Sequence, residues 1–495
     1  MEVKHFVLTA CLSCAISLAS ATDWFREDSE NTNKYIPMVE LQSNLPSLSP
    51  PLTLPIHDRL LYSDSSVTSL DADDGKLAKL RDLLKNHKVA RIASFDGGGI
   101  KGIILASLMA AFEEKVGKSV AESFHMEIGT STGGLVTALL TLPDEINPNV
   151  PRYTAKEVLD IYVNRGAKVF KKMSFFQRLC CGFRDKYSSE PLDKMAKDIF
   201  GDVKMHQLVG DVILTYYDMQ KGSAEFLKSS FARDYEELIR RSSEVLSPSV
   251  PPSSLSFGTL PSALSSVAEY SLPSSQSLPL VNFNSAILDK RHNFYVKDCA
   301  ISTSSAPSYF APYKLRTVKQ IMDSSKNFVT ALDGGIGVNH PYLCGITEAV
   351  SLYPNADAFL VMSFGTGEND RVSVKKVPTS IFSWATELPD MFMGGESKMA
   401  FHVLKTLGAI YNREIYFARI QMKLPPEHMA MDDLSESNVE YLKNAAIDFA
   451  NQEGSVMDMV CSALREVEKT PRHELAKVPE QPRTSNFIHI GKVKS

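Results

Sequence analysis

The sequence predicts an α/β fold with three layers, in which a mainly parallel central sheet is covered by helices on both faces, followed by a mostly helical C-terminal part. From residue 89 to about 370, short apolar runs typical of strands alternate with Gly-rich turns and helical segments. Beyond about residue 375 the apolar residues recur at helical spacing. Hydrophobic residues make up 44% of the 495 residues, which is enough for a sizeable core.

Composition and charge exclude several classes of protein. The chain has 58 acidic and 53 basic residues and a net charge of -5, so it lacks the basic excess typical of nucleic-acid binders. Its seven cysteines follow neither a zinc-binding spacing nor a dense disulfide framework. We therefore expect no nucleic-acid partner.

The N-terminal segment has the pattern of an export signal. A largely apolar run over residues 6–19 is followed by three small residues at 19–21 and then by polar chain. The run is too short to cross a bilayer as a mature helix. We expect a signal peptide over residues 1–21 and a secreted protein, with an uncleaved anchor as the weaker alternative.

The rest of the chain divides where its composition changes. Residues 22–88 are predicted to be an N-terminal lead-in that ends in a short amphipathic helix at 74–87, since leucines there fall at helical spacing. Residues 89–370 form the α/β domain, and residues 242–279 form a Ser/Pro-rich surface insertion within it. The predicted C-terminal parts are a helical extension over residues 371–470 and a flexible tail over residues 471–495.

The first motif is the Gly-rich loop at residues 96–102 (DGGGIKG), between a predicted strand and a predicted helix. Glycines at 97–99 would let backbone N–H groups face a ligand, and the following helix N-terminus favours negative charge. The loop also fits G-x-G-x-x-G, the fingerprint of dinucleotide binding. Glu113 and Glu114 lie closer to the loop than the acidic residue that this fingerprint expects about 20 positions later, so the match is weak. A dinucleotide-dependent oxidoreductase is therefore kept as an alternative.

The second motif, residues 128–135 (IGTSTGGL), fits G-x-S-x-G. It lies between a predicted short strand and an apolar helix, which is the setting of a nucleophile elbow. Gly129 and Gly133 would allow a tight turn that projects the Ser131 hydroxyl above the sheet. The sequence thus predicts Ser131 as a nucleophile.

The third motif is residues 328–335 (FVTALDGG), an apolar strand that ends at Asp333 and is followed by Gly334 and Gly335. Ligands bind at this edge of open α/β sheets. Alone, the motif favours a simple Asp-Gly turn, but together with the first two motifs it predicts Asp333 as the base for Ser131. His340 follows in the order of an α/β-hydrolase triad, but it lies very close to Asp333 in the chain. We expect His340 to stabilise a turn or to face solvent.

Together these three motifs resemble those of the patatin-like phospholipase family. Three further stretches agree with it: residues 187–192 (YSSEPL), 304–310 (SSAPSYF) and 363–367 (SFGTG). The resemblance covers about residues 89–370, with weaker similarity to about 450. Lys101 stands where many members carry Arg, and His340 where many carry Asn.

The resemblance implies a lipid acyl hydrolase with a Ser131–Asp333 dyad, an acyl-enzyme intermediate and no catalytic histidine. Its substrates would be fatty-acid esters of phospholipids or lysophospholipids at a membrane surface. Neither a cofactor nor a metal is implied, and an activating protein partner stays open. A second alternative is a catalytically silent interaction protein of the same fold. The predicted oxyanion-hole residues are Gly97, Gly98, Gly99, Lys101, Gly102 and Thr132.

Overall fold

The computed structural model describes residues 74–169, 187–245, 292–307, 309–368, 403 and 413–476, all of them within one unit, Pro55–Ser495. Several predicted segments lie wholly or partly outside these residues: the signal peptide (1–21), the lead-in before residue 74, the insertion from residue 246, most of the stretch 371–412 and the tail from residue 477.

The described residues contain a single sheet of eight strands. In chain order these are β1 (Val89–Phe95), β2 (Met126–Gly129), β3 (Asp211–Asp218), β4 (Ser223–Lys228), β5 (Tyr313–Leu315), β6 (Val329–Asp333), β7 (Ala358–Phe364) and β8 (Glu414–Ile420). The spatial order is β5-β6-β3-β2-β1-β7-β8, and β4 also pairs with β3. Strands β1, β2, β3, β7 and β8 pair in parallel, whereas the β3–β4, β3–β6 and β5–β6 pairs are antiparallel. The predicted mainly parallel sheet is confirmed.

Helices connect and cover the strands. They are α1 (Asp74–Asn86), α2 (Gly102–Val116), α3 (Val120–Ser123), α4 (Thr132–Leu140), α5 (Ala155–Val169), α6 (Glu190–Phe200), α7 (Ser229–Val245), α8 (Val296–Thr303), α9 (Val318–Met322), α10 (Tyr342–Leu352), α11 (Glu436–Ala450), α12 (Val456–Glu466) and α13 (Arg472–Ala476). Helix α1 confirms the helix predicted at residues 74–87.

The two faces of the sheet bury separate cores. Along β1, Ala90 and Ile92 pack with residues of α10 on one face, while Val89, Ala93 and Phe95 belong to the core on the other face. That second core includes residues of α2, α4, α5, α11 and α12. Strands buried on both faces read as nearly continuous apolar runs, which is why β1 could be predicted from the sequence.

Sheet register brings two distant strand ends together. Strand β2 is parallel to β3 and ends with Gly129 opposite Leu214. Strand β6 is antiparallel to β3 and ends with Asp333 opposite Tyr216. Strands β2 and β6 thus flank β3. The turn after β2 and the last residue of β6 both lie near the same part of β3, and so near each other.

The structure corrects three predicted boundaries. Strand β8 lies in the stretch predicted to be helical and extends the central sheet beside β7. Helix α7 continues to Val245, so the first residues of the predicted insertion are helical. Helix α13 lies in the predicted flexible tail, and its Leu475 is fully buried. Within the described residues, the helices all lack the length and apolar character needed to traverse a bilayer.

Candidate active site

Ser131 occupies the tight turn between β2 and α4. Its backbone has φ 53° and ψ -124°, a conformation that residues other than glycine rarely adopt and that clusters at functional sites. Gly133 makes the turn possible, because a Cβ atom there would collide with the carbonyl oxygen of Phe95. The Ser131 N–H donates to Thr303 Oγ1 at 3.0 Å and helps to hold this backbone.

Asp333, at the end of β6, is hydrogen-bonded to Ser131. Ser131 Oγ donates to Asp333 Oδ2 at 2.6 Å, and the Gly335 N–H donates to Asp333 Oδ1 at 2.7 Å. Burial raises the pKa of Asp333 to about 6, even though the hydrogen bonds from Ser131 and Gly335 lower it. Asp333 is therefore ionised at neutral pH and is a stronger base than an exposed aspartate.

The Gly-rich loop lies directly against Ser131. A Cβ atom added to Gly97 would lie 3.2 Å from Ser131 Cβ. The Gly97 N–H donates to the carbonyl oxygen of Asn339 at 3.2 Å, so it is already engaged. Among the described residues, the N–H groups of Gly98 and Gly99 have no hydrogen-bond acceptor.

The other predicted oxyanion-hole residues also differ in whether their backbone N–H groups are already hydrogen-bonded. The Lys101 N–H donates to the carbonyl oxygen of Gly98 at 3.3 Å, and the Gly102 N–H donates to that of Gly99. Thr132 is the first residue of α4, and its N–H has no acceptor in the described part of the chain. Of the six predicted residues, three thus keep an available N–H: Gly98, Gly99 and Thr132.

The motif glycines surround the same pair. Gly129 lies against Gly133 across the turn, and Gly334 lies against Thr215 of β3. Gly335 supplies the N–H that binds Asp333. The structure therefore brings all twelve predicted site residues into one region around Ser131 and Asp333, at the end of the sheet where β1 and β2 terminate.

Asp96, which opens the Gly-rich loop, forms a buried charged cluster. Its Oδ2 accepts hydrogen bonds from the Arg419 guanidinium and from His340 Nδ1, the latter at 2.7 Å. Arg419 also donates to Ser363 Oγ at 2.6 Å. Although burial opposes ionisation, Arg419 and His340 hold the pKa of Asp96 below its usual value. The expectation of a solvent-facing His340 is wrong, and this histidine binds Asp96 rather than Asp333.

Two further contacts fix the Gly-rich loop from behind. Thr366 Oγ1 donates to the carbonyl oxygen of Gly97 at 2.7 Å. The Ile100 N–H donates to the carbonyl oxygen of Met431 at 2.8 Å. Thr366 belongs to a stretch that sequence reasoning noted without assigning a role, whereas neither Met431 nor Arg419 carries a local signal of its contact with the loop.

The arrangement has the parts that acyl transfer requires. A hydroxyl is hydrogen-bonded to a base, and backbone N–H groups without partners in the described structure lie on the adjoining loop and helix. Within the described residues, His, Cys, Asp and Glu side chains form no group of three or more that could hold a metal ion.

Comparison with known proteins identifies the relatives of this chain. It is 26% identical over 401 residues to patatin-like protein 4 of Arabidopsis thaliana, covering 73% of this chain and 85% of that protein. It is 23% identical over 377 residues to "probable inactive patatin-3-Kuras 1" of Solanum tuberosum, covering 71% and 84%. A solved structure, VipD from Legionella pneumophila, matches at 12% identity over 73% of this chain and 66% of that one, with a TM-score of 0.27 that is too low to support a conclusion.

A family model described as "Patatin-like phospholipase" matches residues 93–343. The match begins within β1 and ends at the start of α10, so it includes the Gly-rich loop, the Ser131 turn and Asp333. The chain belongs to the patatin-like phospholipase family.

Proposed function

We propose that this member of a lipid acyl hydrolase family cleaves fatty-acid esters of phospholipids or lysophospholipids, with Ser131 as nucleophile and Asp333 as base. The observation that carries the proposal is the 2.6 Å hydrogen bond from Ser131 Oγ to Asp333 Oδ2. A nucleophile and its base must lie within hydrogen-bonding reach of each other, and here they do so although 202 positions separate them in the chain.

In the acylation step, Ser131 Oγ attacks the ester carbonyl carbon while Asp333 Oδ2 accepts the hydroxyl proton. The carbonyl oxygen becomes an oxyanion, to which the N–H groups of Gly98, Gly99 and Thr132 donate. Loss of one such donor typically costs about 10²–10³ in turnover. The intermediate then expels the alcohol, which takes the proton from Asp333, and the fatty acyl group stays on Ser131 as an ester.

The deacylation step repeats this chemistry with water. Asp333 accepts a proton from a water molecule, whose oxygen attacks the acyl carbon of the Ser131 ester. The same N–H groups stabilise the second oxyanion. Collapse releases the fatty acid and returns the proton from Asp333 to Ser131 Oγ. A base with its pKa raised to about 6 suits both steps, because it is ionised at pH 7 and still holds a proton transiently.

A catalytically silent protein is the second candidate, since one relative is named a probable inactive patatin. The Ser131–Asp333 hydrogen bond and the strained Ser131 backbone favour turnover, because a silent protein has no need to keep either. The dinucleotide-binding alternative has no comparable support. The faces of Gly98 and Gly99 are closely covered by Thr366 and Met431, and the family match points to acyl hydrolysis.

The test measures fatty-acid release from phospholipid vesicles by the purified full chain. We predict that Ser131→Ala lowers release by more than about 10³-fold and Asp333→Asn by about 10²–10⁴-fold. Ser107→Ala is the matched serine control, because the buried Ser107 hydroxyl has no partner in the described structure. Asp298→Asn is the matched control for Asp333, because Asp298 is also buried and accepts a hydroxyl hydrogen bond, from Tyr313 at 2.7 Å.

Both controls should keep release within a few-fold of the unmodified protein. Release that survives loss of both Ser131 and Asp333 would refute the dyad. No release from any acyl lipid, together with no labelling of Ser131 by a fluorophosphonate, would support the silent alternative.

We also propose that the chain is exported and loses residues 1–21. The support is the apolar run and the small residues that follow it. N-terminal sequencing of the protein secreted by an expressing cell tests this proposal. A new N-terminus near residue 22 is expected, and an intact, cell-retained chain would overturn it.

A further inference from the structure

Exposed apolar side chains concentrate on one part of the surface. Seven large hydrophobic side chains are exposed in the described residues, and four of them are Met219, Ile321, Met322 and Phe328. Met322 is 75% exposed and Met219 50%. Single exposed apolar residues are ordinary, but a group of them on one side of a protein indicates an interaction surface.

A backbone contact places Met219 near Phe328, and a short loop connects Phe328 to the helix that carries Ile321 and Met322. The Met219 N–H, at the turn between β3 and β4, donates to the carbonyl oxygen of Thr330 at 3.0 Å, so this turn lies beside the start of β6. Phe328 immediately precedes β6. Helix α9 ends at Met322, and a short loop joins it to Phe328. We call residues 313–328 together with Met219 the docking rim.

The docking rim lies at the same end of the sheet as Ser131. Strand β3 is parallel to β2 and ends at Asp218, which pairs with Ala331. Met219 and Phe328 therefore lie beyond the end of β3, on the side where β2 leads into the Ser131 turn. Strand β6 runs from the rim to Asp333, and at 3.4 Å per residue Val329 and Asp333 are about 14 Å apart.

The docking rim is also positively charged. Residues 313–328 contain four basic residues and one acidic residue, Asp323, which gives +3 in a chain whose net charge is -5. The four basic residues are Lys314, Arg316, Lys319 and Lys326. Lys314 Nζ lies 4.9 Å from the centroid of the Phe328 ring, so cationic and apolar groups stand side by side.

We propose that the docking rim binds an anionic lipid bilayer, with its apolar side chains entering the interface and its basic side chains on the lipid headgroups. Surfaces that combine exposed apolar groups with Lys and Arg bind membranes in this way. The proposal deepens and rests on the proposed function. It orients the end of the sheet that carries Ser131 and Asp333 towards the bilayer, from which a lipid substrate must come.

The test measures binding of the full-length Ser131→Ala protein to sedimentable vesicles, so that hydrolysis cannot alter the lipid. Vesicles contain phosphatidylcholine with or without phosphatidylglycerol. Replacing both Met322 and Phe328 by Ser should weaken binding to both kinds of vesicle by about tenfold or more. Replacing both Lys319 and Lys326 by Glu should remove the preference for phosphatidylglycerol, since each Lys near an anionic surface strengthens binding about fivefold.

Ile146→Ser is the matched control. Ile146 is 94% exposed, and its loop lies near Gly210 at the opposite end of β3, where Pro148 and Gly210 line one cleft. This variant should bind as the parent does. The melting temperature of each variant shows whether it is folded, and the Lys319 and Lys326 variant changes only exposed side chains.

Rim variants that bind vesicles as tightly as the parent would overturn the docking proposal, even if the unmodified protein hydrolyses lipid. Rim variants that alter self-association in the absence of lipid, with vesicle binding unchanged, would also overturn it and assign the rim to protein contacts. Vesicle binding that depends on the rim, with no hydrolysis by the unmodified protein, would support docking and reject the proposed function.

Discussion

At the scale of single residues, the chemistry of this site depends on the carboxyl group of Asp333. It is buried, it bonds to Ser131 Oγ and the Gly335 N–H, and burial raises its pKa to about 6. Only the ionised carboxylate can take the Ser131 proton. From the proposed role of Asp333 we therefore expect activity to depend on pH in a range where an exposed aspartate, with a pKa near 3.9, would already be fully ionised.

We predict that kcat/KM for a soluble ester rises with pH through about 6 and levels off above it. The sign follows from the role of Asp333, because protonation below its pKa removes the base. A soluble ester is used so that membrane binding does not affect the profile. A profile that is flat from about pH 5 to 8, or that rises only near pH 4, would contradict the role given to Asp333.

Prediction of single residues relied on signals in the neighbouring sequence, and the two residues predicted in this way are hydrogen-bonded in the structure. Ser131 lies between Gly129 and Gly133, and Asp333 is followed by Gly334 and Gly335. Each comes after a recognisable strand and could be assigned from those neighbours. The partners of Asp96 could not, because His340 and Arg419 lie 244 and 323 positions away along the chain. Periodicity and turn residues carry no information about contacts between such distant side chains.

At the scale of secondary-structure elements, the Gly-rich loop is held in place by residues that lie beyond the segment matched by the family model, residues 93–343. Arg419 of β8 binds Asp96, and the Met431 carbonyl oxygen accepts the Ile100 N–H. These contacts fix the direction of the loop whose N–H groups are proposed to meet the oxyanion. The C-terminal part thus helps to position the site.

We predict that Arg419→Gln lowers kcat by about 10–10²-fold with a smaller change in KM, because loop geometry matters most in the transition state. Hydrogen exchange in the Gly-rich loop should become faster in this variant. Arg413→Gln is the matched control, since Arg413 precedes the opposite end of β8 and binds the Pro354 carbonyl oxygen. Equal effects of both variants on kcat would show that Arg419 matters only for stability.

The His340→Asn variant tests whether His340 only positions Asp96 or takes part in the reaction itself. An asparagine side chain can still donate a hydrogen bond to Asp96, so we expect activity close to that of the unmodified protein. This outcome would accord with a positioning role for His340, whereas a loss as large as that of Ser131→Ala would place His340 in the reaction itself.

Strand β8 shows why element prediction failed in the C-terminal part. Its sequence, EIYFARI, is rich in residues that favour strands, and Ile415 and Phe417 face one core while Ala418 and Ile420 face the other. That alternation was a usable signal. The helical prediction for this part rests on the longer patterns that follow, which α11 and α12 do contain.

At the scale of the whole molecule, the last described helix joins the C-terminal chain to the sheet. Leu475 is fully buried in the core beside α10, and the Asn355 N–H donates to its carbonyl oxygen at 3.0 Å. Arg472 binds Asp211, the first residue of β3, at 2.5 Å. The polar, Pro-interrupted composition predicted a loose tail from residue 471, but a buried leucine, an ion pair and hydrogen bonds from Asn355 attach residues 472–476 to the rest of the fold.

We predict that Leu475→Ala lowers the free energy of unfolding by about 2–5 kcal/mol, the usual cost of emptying a buried leucine site. Thermal or denaturant unfolding measures it. His473→Ala, on the exposed side of the same helix, should change stability by less than about 0.5 kcal/mol. A variant as stable as the unmodified protein would show that this helix does not contribute to the fold.

The most direct test of the mechanism is to trap the acyl-enzyme. The protein is mixed with phospholipid, quenched in acid during turnover and digested with a protease. The mass of the peptide that contains Ser131 is then measured by mass spectrometry. We predict a fatty acyl group on Ser131 that is absent from Ser131→Ala. Sustained fatty-acid release with no acyl group on Ser131, unchanged in the Ser131→Ala protein, would contradict the account.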